Sequence, residues 1–233
     1  HIRPVDNAGN IGEEFVQEIE IPDNESYFDL PYALFASEEE VQLFCCQADV
    51  KGIVYGNETF RFQGSTLNLL GTAYSAGKLQ IAGGDLHIAE KIENASQIEL
   101  PNYMTDILDN MKQNTGIEEI AEYNMANVTN PTICKTTTKA WCNRVNIFAD
   151  LVSNGDISFN ANVMTLGYKD PVVIASENGD ITIQATNVNG NGLIYAPNGT
   201  VTINVCDFDY KGSIIAKKIN IQATYYQHKI EDK

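Results

Sequence analysis

The segment Ala36-Ser37-Glu38-Glu39-Glu40-Val41-Gln42-Leu43-Phe44-Cys45-Cys46 lies without gaps on Ala196-Pro197-Asn198-Gly199-Thr200-Val201-Thr202-Ile203-Asn204-Val205-Cys206, 160 residues further along the chain. The match extends through Lys51-Gly52 and Lys211-Gly212, so two distant stretches share one structural unit. The unit recurs with Asn-Gly punctuation at Asn154-Gly155-Asp156-Ile157, Asn178-Gly179-Asp180-Ile181 and Asn198-Gly199-Thr200-Val201. Asn-Gly supplies the positive φ angles of a tight turn, and each turn precedes a run of alternating apolar residues. Side chains two apart on a strand share a face. Val41 with Leu43, Phe60 with Phe62, Leu86 with Ile88, Ile157 with Phe159, Ile181 with Ile183, Val201 with Ile203, and Ile219 with Ile221 are therefore predicted to point inward and stack in ladders.

A second strand in each unit carries a large-then-small inward pair: Leu34 with Ala36, Val54 with Gly56, Val173 with Ala175, Ile194 with Ala196, Ile214 with Ala216. The small residue leaves room for a tight corner. A hairpin meander of similar period would set neighbouring strands antiparallel and would not keep equivalent residues in register. The expectation is an all-β chain folded as a right-handed parallel β-helix, a solenoid of about seven coils of about 20 residues with a small helical insertion. At roughly 4.8 Å per coil the shaft would be on the order of 30 to 35 Å long.

The repeat divides the chain. Residues 1–31 are acidic and irregular and read as a cap or linker; 32–91 hold the first coils; 92–140 break the pattern; 141–233 hold the remaining coils. Within the break, Met104, Ile107, Leu108 and Met111 follow Pro101 at helical spacing, which predicts an amphipathic helix over 102–112. A second short helix is expected around 117–125, before a Thr-rich loop.

Composition excludes several roles. The formal net charge of −16 over 233 residues gives an acidic protein that repels phosphate backbones and acidic headgroups, so no nucleic-acid partner is expected. No apolar run is long enough to cross a bilayer, so no membrane insertion is expected of this segment. His1-Ile2-Arg3-Pro4-Val5-Asp6 lacks the apolar stretch of a secretion signal, as in a chain whose leader has been removed. Five cysteines leave at least one thiol unpaired. Cys134 and Cys142 flank the polar loop Lys135-Thr136-Thr137-Thr138-Lys139, a spacing that admits either a disulfide in a secreted protein or two free thiols. Cys45, Cys46 and Cys206 sit in apolar strand patterns without a CxxC pair or a histidine partner, which favours buried thiols over zinc ligands.

Parallel β-helices also house polysaccharide lyases and hydrolases, whose chemistry needs clustered carboxylates on an outer face, often with Ca²⁺. Candidates here are few, and no cofactor is expected. Asp156 and Asp180 recur at one turn position and Asp85 at a similar one, where a turn-capping role accounts for them. Asp207 and Asp209 alternate with Phe208 and Tyr210, so both carboxylates are predicted to project outward about 7 Å apart, where they could meet a sugar or a cation. His87 is expected to face solvent, and His228 has no nucleophile beside it. Tyr55, Tyr74, Tyr195, Tyr225 and Tyr226 are read as outward aromatics able to stack on pyranose rings. The carbohydrate-binding set is thus Tyr195, Asp207, Asp209 and Tyr225, and no catalytic residue is assigned. Asn-x-Ser/Thr triplets, Asn57-Glu58-Thr59 among them, would matter only in a glycosylating host.

The stretch Gly192-Leu193-Ile194-Tyr195-Ala196-Pro197-Asn198-Gly199-Thr200-Val201-Thr202-Ile203, continuing to Gly212-Ser213-Ile214-Ile215-Ala216-Lys217-Lys218-Ile219-Asn220-Ile221, resembles β-helical modules of surface and secreted proteins from Clostridia and related Gram-positive bacteria. Ala33-Leu34-Phe35-Ala36-Ser37 and Leu100-Pro101-Asn102-Tyr103 fit the same pattern, and the similarity covers roughly residues 32–224. In such proteins the module often sits beside von Willebrand A-like or fibronectin-like domains. The resemblance implies an extracellular or cell-surface location and carries no catalytic residues with it. Together these readings give a non-catalytic structural or adhesive module whose partner is an extracellular glycan or surface protein. The alternative is a carbohydrate-binding or carbohydrate-active β-helix with its site near the 92–140 insertion.

Overall fold

Alternating apolar residues produce strands throughout the chain, and a computed structural model places them in one all-β, parallel sheet. It describes residues 30–113, 118–121, 126–167 and 169–230, so the cap or linker expected over 1–31 lies almost wholly outside the described residues. In chain order the first strands are β1 (Tyr32–Ala36), β2 (Val41–Lys51), β3 (Ile53–Gly56), β4 (Phe60–Ser75), β5 (Leu79–Ala82) and β6 (Asp85–Ile92). The helix α1 (Met104–Gln113) follows, then β7 (Glu118–Ile120), β8 (Asn127–Val128), β9 (Thr132–Cys134), β10 (Thr138–Ile147), β11 (Leu151–Ser153), β12 (Ile157–Leu166), β13 (Val172–Ser176) and β14 (Ile181–Lys229).

Equivalent residues pair in parallel register. Thr138 pairs with Ile157 and Ile157 with Ile181; Ile219 pairs with Val41, Val41 with Phe60, and Phe60 with Leu79. The inward residues Val41, Leu43, Phe60, Phe62, Ile157, Ile181, Ile183, Val201, Ile203, Ile219 and Ile221 are completely buried in the main core. The strand connections close into a ring through β1, β3, β4, β2 and β14. The ring closes because long strands bend: β4 gives residues 60–70 to β2 and residues 73–75 to β3.

The order of these layers in space is not their order in sequence. The last layer of the C-terminal block packs on the first layer of the N-terminal block: Ile214 pairs with Leu34, Ile219 with Val41, and Tyr226 with Ala48. The succession therefore runs β7, β9, β11, β13, β14, β1, β3, β4, with β6 last. Opposite charges mark the junction. Lys217 Nζ lies 3.2 Å from Glu38, and Lys218 Nζ lies 3.1 Å from Glu40 and 3.5 Å from Glu39.

This order puts Ile92 at one end of the stack and Glu118 at the other. Nine spacings of about 4.8 Å separate them by roughly 40 Å, and the described part of the connection, residues 93–113, runs along the outside of the sheet. The stretch outside the sheet is shorter than the 92–140 expected, because strands resume at Glu118. Residues 118–120 form strand where a second short helix was predicted, and residues 122–125 are outside the described residues.

Contacts trace the crossover. The Tyr55 hydroxyl donates to the Ser96 carbonyl. Buried Asn57 donates to the Ile98 carbonyl at 2.7 Å and accepts from the Ile98 amide at 2.9 Å. Asn57, a candidate glycosylation position in the sequence, is thus an internal staple with no room for a glycan. Further on, the Asn102 side chain caps α1 by accepting from the Met104 amide at 3.0 Å, and Met104, Ile107 and Met111 are buried. Beneath them lies a second apolar cluster that includes Phe35, Tyr55, Tyr74, Val152, Val173, Leu193, Tyr195 and Ile215. Phe35, Tyr55 and Tyr74 stack with ring centroids 5.4 and 5.3 Å apart. These strands are buried on both faces, one against the main core and the other against the crossover.

Among the described residues one buried histidine, His228, packs against Phe208, Tyr210 and Tyr226 of the main core. His228 is buried between the Tyr226 hydroxyl, 2.6 Å from Nδ1, and the Gly212 carbonyl, 2.8 Å from Nε2. The carbonyl can only accept, so Nε2 carries the proton and Nδ1 accepts from Tyr226. Burial pushes the imidazole down to about 4, against the Gly212 carbonyl, which favours the protonated ring. A depressed histidine pKa means that the unfolded chain takes up the proton first. Stability is expected to fall by about 3 kcal/mol as pH drops from about 6.5 to about 4. Chemical denaturation of wild type and His228→Gln across that range measures the difference, and the variant should lose this part of the slope.

Candidate functional site

The sheet presents three outer surfaces. One is the apolar surface under the crossover. The second follows the outward residues of the ladder from Thr138 to Leu79, and the third follows strand segments such as 163–166, 187–190 and 47–51.

The third surface brings most of the predicted residues together. Asp207 and Asp209 are exposed, while Phe208 and Tyr210 between and beside them are buried. Alternation along the strand puts both carboxylates outward, as the sequence predicts. Phe208 stacks on Tyr226 with ring centroids 5.2 Å apart, which fixes the layers carrying Asp207 and Tyr225 one above the other. Tyr225 is 54% exposed and projects beside them. These three line a shallow groove of about 390 Å³ with Val163, Asn187, Asn189 and Gln227. A second depression, sharing Asp209 and Gln227, continues it past Asp49 and Asn68.

Tyr195 does not belong there. It is 2% exposed under the crossover, where its hydroxyl accepts from the Tyr103 amide at 3.1 Å and donates to Asn102. Tyr55, Tyr74 and Tyr226, also read as outward, are buried. The first two point out of the main core but are covered by the crossover, and Tyr226 points into the main core. A signal was available in the sequence. Tyr32-Ala33-Leu34-Phe35-Ala36 and Val172-Val173-Ile174-Ala175-Ser176 are apolar at successive positions, the pattern of strands buried on both faces.

Amide–carboxylate pairs organise the groove. Asn189 Nδ2 lies 3.5 Å from Asp209, and Asn187, with its amide nitrogen toward Asp207, lies 2.8 Å from that carboxylate. Asp49 accepts from Gln47 at 3.0 Å and from Asn68 at 3.3 Å. Asp207 and Asp209 thus have matched surroundings, one neighbouring amide each. What the groove offers is a row of hydrogen-bond donors and acceptors with one aromatic face.

No protein-family model matches the chain, and no curated protein matches it.

The remaining candidates have structural partners. Asp156 accepts from the Asp180 amide at 2.9 Å, and Asp180 accepts from the Thr200 amide at 2.7 Å, so both cap turns in the neighbouring layer. His87 is exposed and lies 2.9 Å from Asp85. Cys134 and Cys142 are free thiols with no bridge between them. Cys134 is buried with Sγ 3.1 Å from the Thr137 carbonyl, whereas Cys142 Sγ lies 3.0 Å from the Arg144 carbonyl. Cys45 is buried, but Cys46 and Cys206 are exposed, contrary to the expectation of three buried thiols. Both occupy a bend where the inward–outward alternation breaks down. Among the described residues no three His, Cys, Asp or Glu side chains are grouped to hold a metal. No described helix is long and apolar enough to cross a membrane.

Proposed function

We propose that this chain is a right-handed parallel β-helix serving as a non-catalytic structural or adhesive module on a bacterial surface or in its secretions. The finer fold reading is supported by repeated register. Leu34 pairs with Ile214 on one side and Val54 on the other, and Val41 with Ile219 and Phe60, always at equivalent positions of a unit of about 20 residues. Strands such as β4 and β14 that bend round corners suit a winding chain better than a five-stranded barrel. In this reading the ladder Thr138, Ile157, Ile181, Val201, Ile219, Val41, Phe60 and Leu79 gives eight coils, one more than the repeat alone suggests.

One observation carries the functional reading: the shaft closes its own apolar outer face with residues 93–113 and leaves its other two outer faces mostly polar, with Trp141, Leu70 and Tyr225 as exposed apolar side chains on them. Such a module is self-contained and presents surface rather than a cleft. The resemblance to clostridial surface modules points to the same compartment. A membrane-impermeant label applied to intact cells making the native protein, together with assay of the culture medium, tests the location. Label on the chain, or the chain in the medium, is the expected result; recovery only from the cytosol would remove the proposal's basis.

A further inference from the structure

The groove on the third outer surface goes beyond the shaft reading, which stands whether or not this groove is occupied. Its long direction follows the stacking axis, along which Asn189, Asp209, Gln227, Asp49 and Asn68 succeed one another, one per layer. The spacing of about 4.8 Å between layers is close to the length of one pyranose residue in an extended chain, so successive sugars would meet equivalent side chains. Amides and carboxylates both accept from hydroxyls, amides also donate, and Tyr225 offers an exposed ring on which a sugar face can stack. Charge selects among polysaccharides. Asp49, Asp207 and Asp209 outnumber Lys51 and Lys229 along the groove, and on a chain of net charge −16 this balance disfavours uronates and sulfated sugars.

We propose that this groove binds an extended neutral polysaccharide lying parallel to the stacking axis, with Tyr225 as its stacking platform and Asp209 as a central hydrogen-bond acceptor. No bond is made or broken; the site holds its ligand by a succession of weak, equivalent contacts, so affinity rises with oligomer length.

Isothermal titration of the whole chain with hexasaccharides of β-1,4-linked glucose, mannose and N-acetylglucosamine tests this, with hexagalacturonate as the anionic comparator. At least one neutral hexamer should bind saturably and more tightly than its trimer, and hexagalacturonate should not bind. Tyr225→Ala and Asp209→Ala should each weaken binding about tenfold, while Tyr225→Phe, which keeps the ring, and Gln222→Ala on the second surface should leave it unchanged. Circular dichroism melts check that each variant is folded. Absence of binding by every neutral hexamer up to about 10 mM, binding that survives both alanine variants, or preference for hexagalacturonate would overturn the proposal.

Discussion

Gly212→Ala is expected to destabilise the protein by more than about 3 kcal/mol, enough to prevent folding in a domain of ordinary stability. Gly212 has φ +128°, a region that side chains rarely tolerate, and a Cβ added there would lie 1.9 Å from the Gly192 carbonyl oxygen. The obstacle is the backbone of the neighbouring layer, held by its own sheet bonds, so it cannot swing aside as a side chain could. The same carbonyl row continues downward, where a Cβ at Gly192, φ +141°, would lie 1.9 Å from the Val172 carbonyl oxygen. The control is Gly84→Ala. Its added Cβ would meet nothing nearer than Ser65 O at 3.5 Å, so a change within about 0.5 kcal/mol is expected. Urea titrations of both variants give the comparison.

Ile107→Asp should cost about 4 kcal/mol and detach the crossover. Ile107 is completely buried between α1 and the second apolar cluster, where a carboxylate would lose its water without gaining a partner. Limited proteolysis provides the local readout: residues 93–113 should be cut early in the variant and late in the wild type. Asp106→Ala, one position away and exposed, should leave both stability and cleavage nearly unchanged. Equal protection of the crossover in wild type and Ile107→Asp would mean that α1 does not seal the face.

The period of about 20 residues and the identity of the inward residues were legible because alternation and Asn-Gly turns are local signals. Val41, Phe60, Ile181 and Ile219 are buried as their spacing predicts. Leu86 and Ile88 are only half-buried because their strand is the last layer and nothing stacks beyond it. The order of the layers was not legible, for a physical reason. Units of one length and one ladder pattern can stack in any order without changing their local sequence. Only the opposition of Glu38, Glu39 and Glu40 to Lys217 and Lys218 distinguishes the true junction, and each run alone reads as a charged turn. The crossover was half legible. Its helical face is visible in the sequence, but the surface it covers is hidden because Tyr55, Tyr74 and Tyr195 read as outward, solvent-facing residues. They do point out of the main core, and the chain itself lies over them. Of the candidate site, Asp207, Asp209 and Tyr225 come together because they share one outer surface, and Tyr195 lies apart because it belongs to another.

The central structural claim is that the C-terminal layer packs on the N-terminal one, and a single cross-link tests it. Thr224 lies opposite Cys46, between the paired residues Ala223–Cys45 and Tyr225–Gln47, and both positions are exposed. Neighbouring strands at about 4.8 Å are within reach of a disulfide. In a chain carrying Thr224→Cys, with Cys45, Cys134, Cys142 and Cys206 changed to Ala, mild oxidation should join positions 46 and 224 within the monomer, as read by peptide mass spectrometry. Ser65→Cys in the same background is the positive control, since Ser65 lies opposite Cys46 on the other side. Both links forming is the result predicted here; a 46–65 link without a 46–224 link would show that the layers stack in another order.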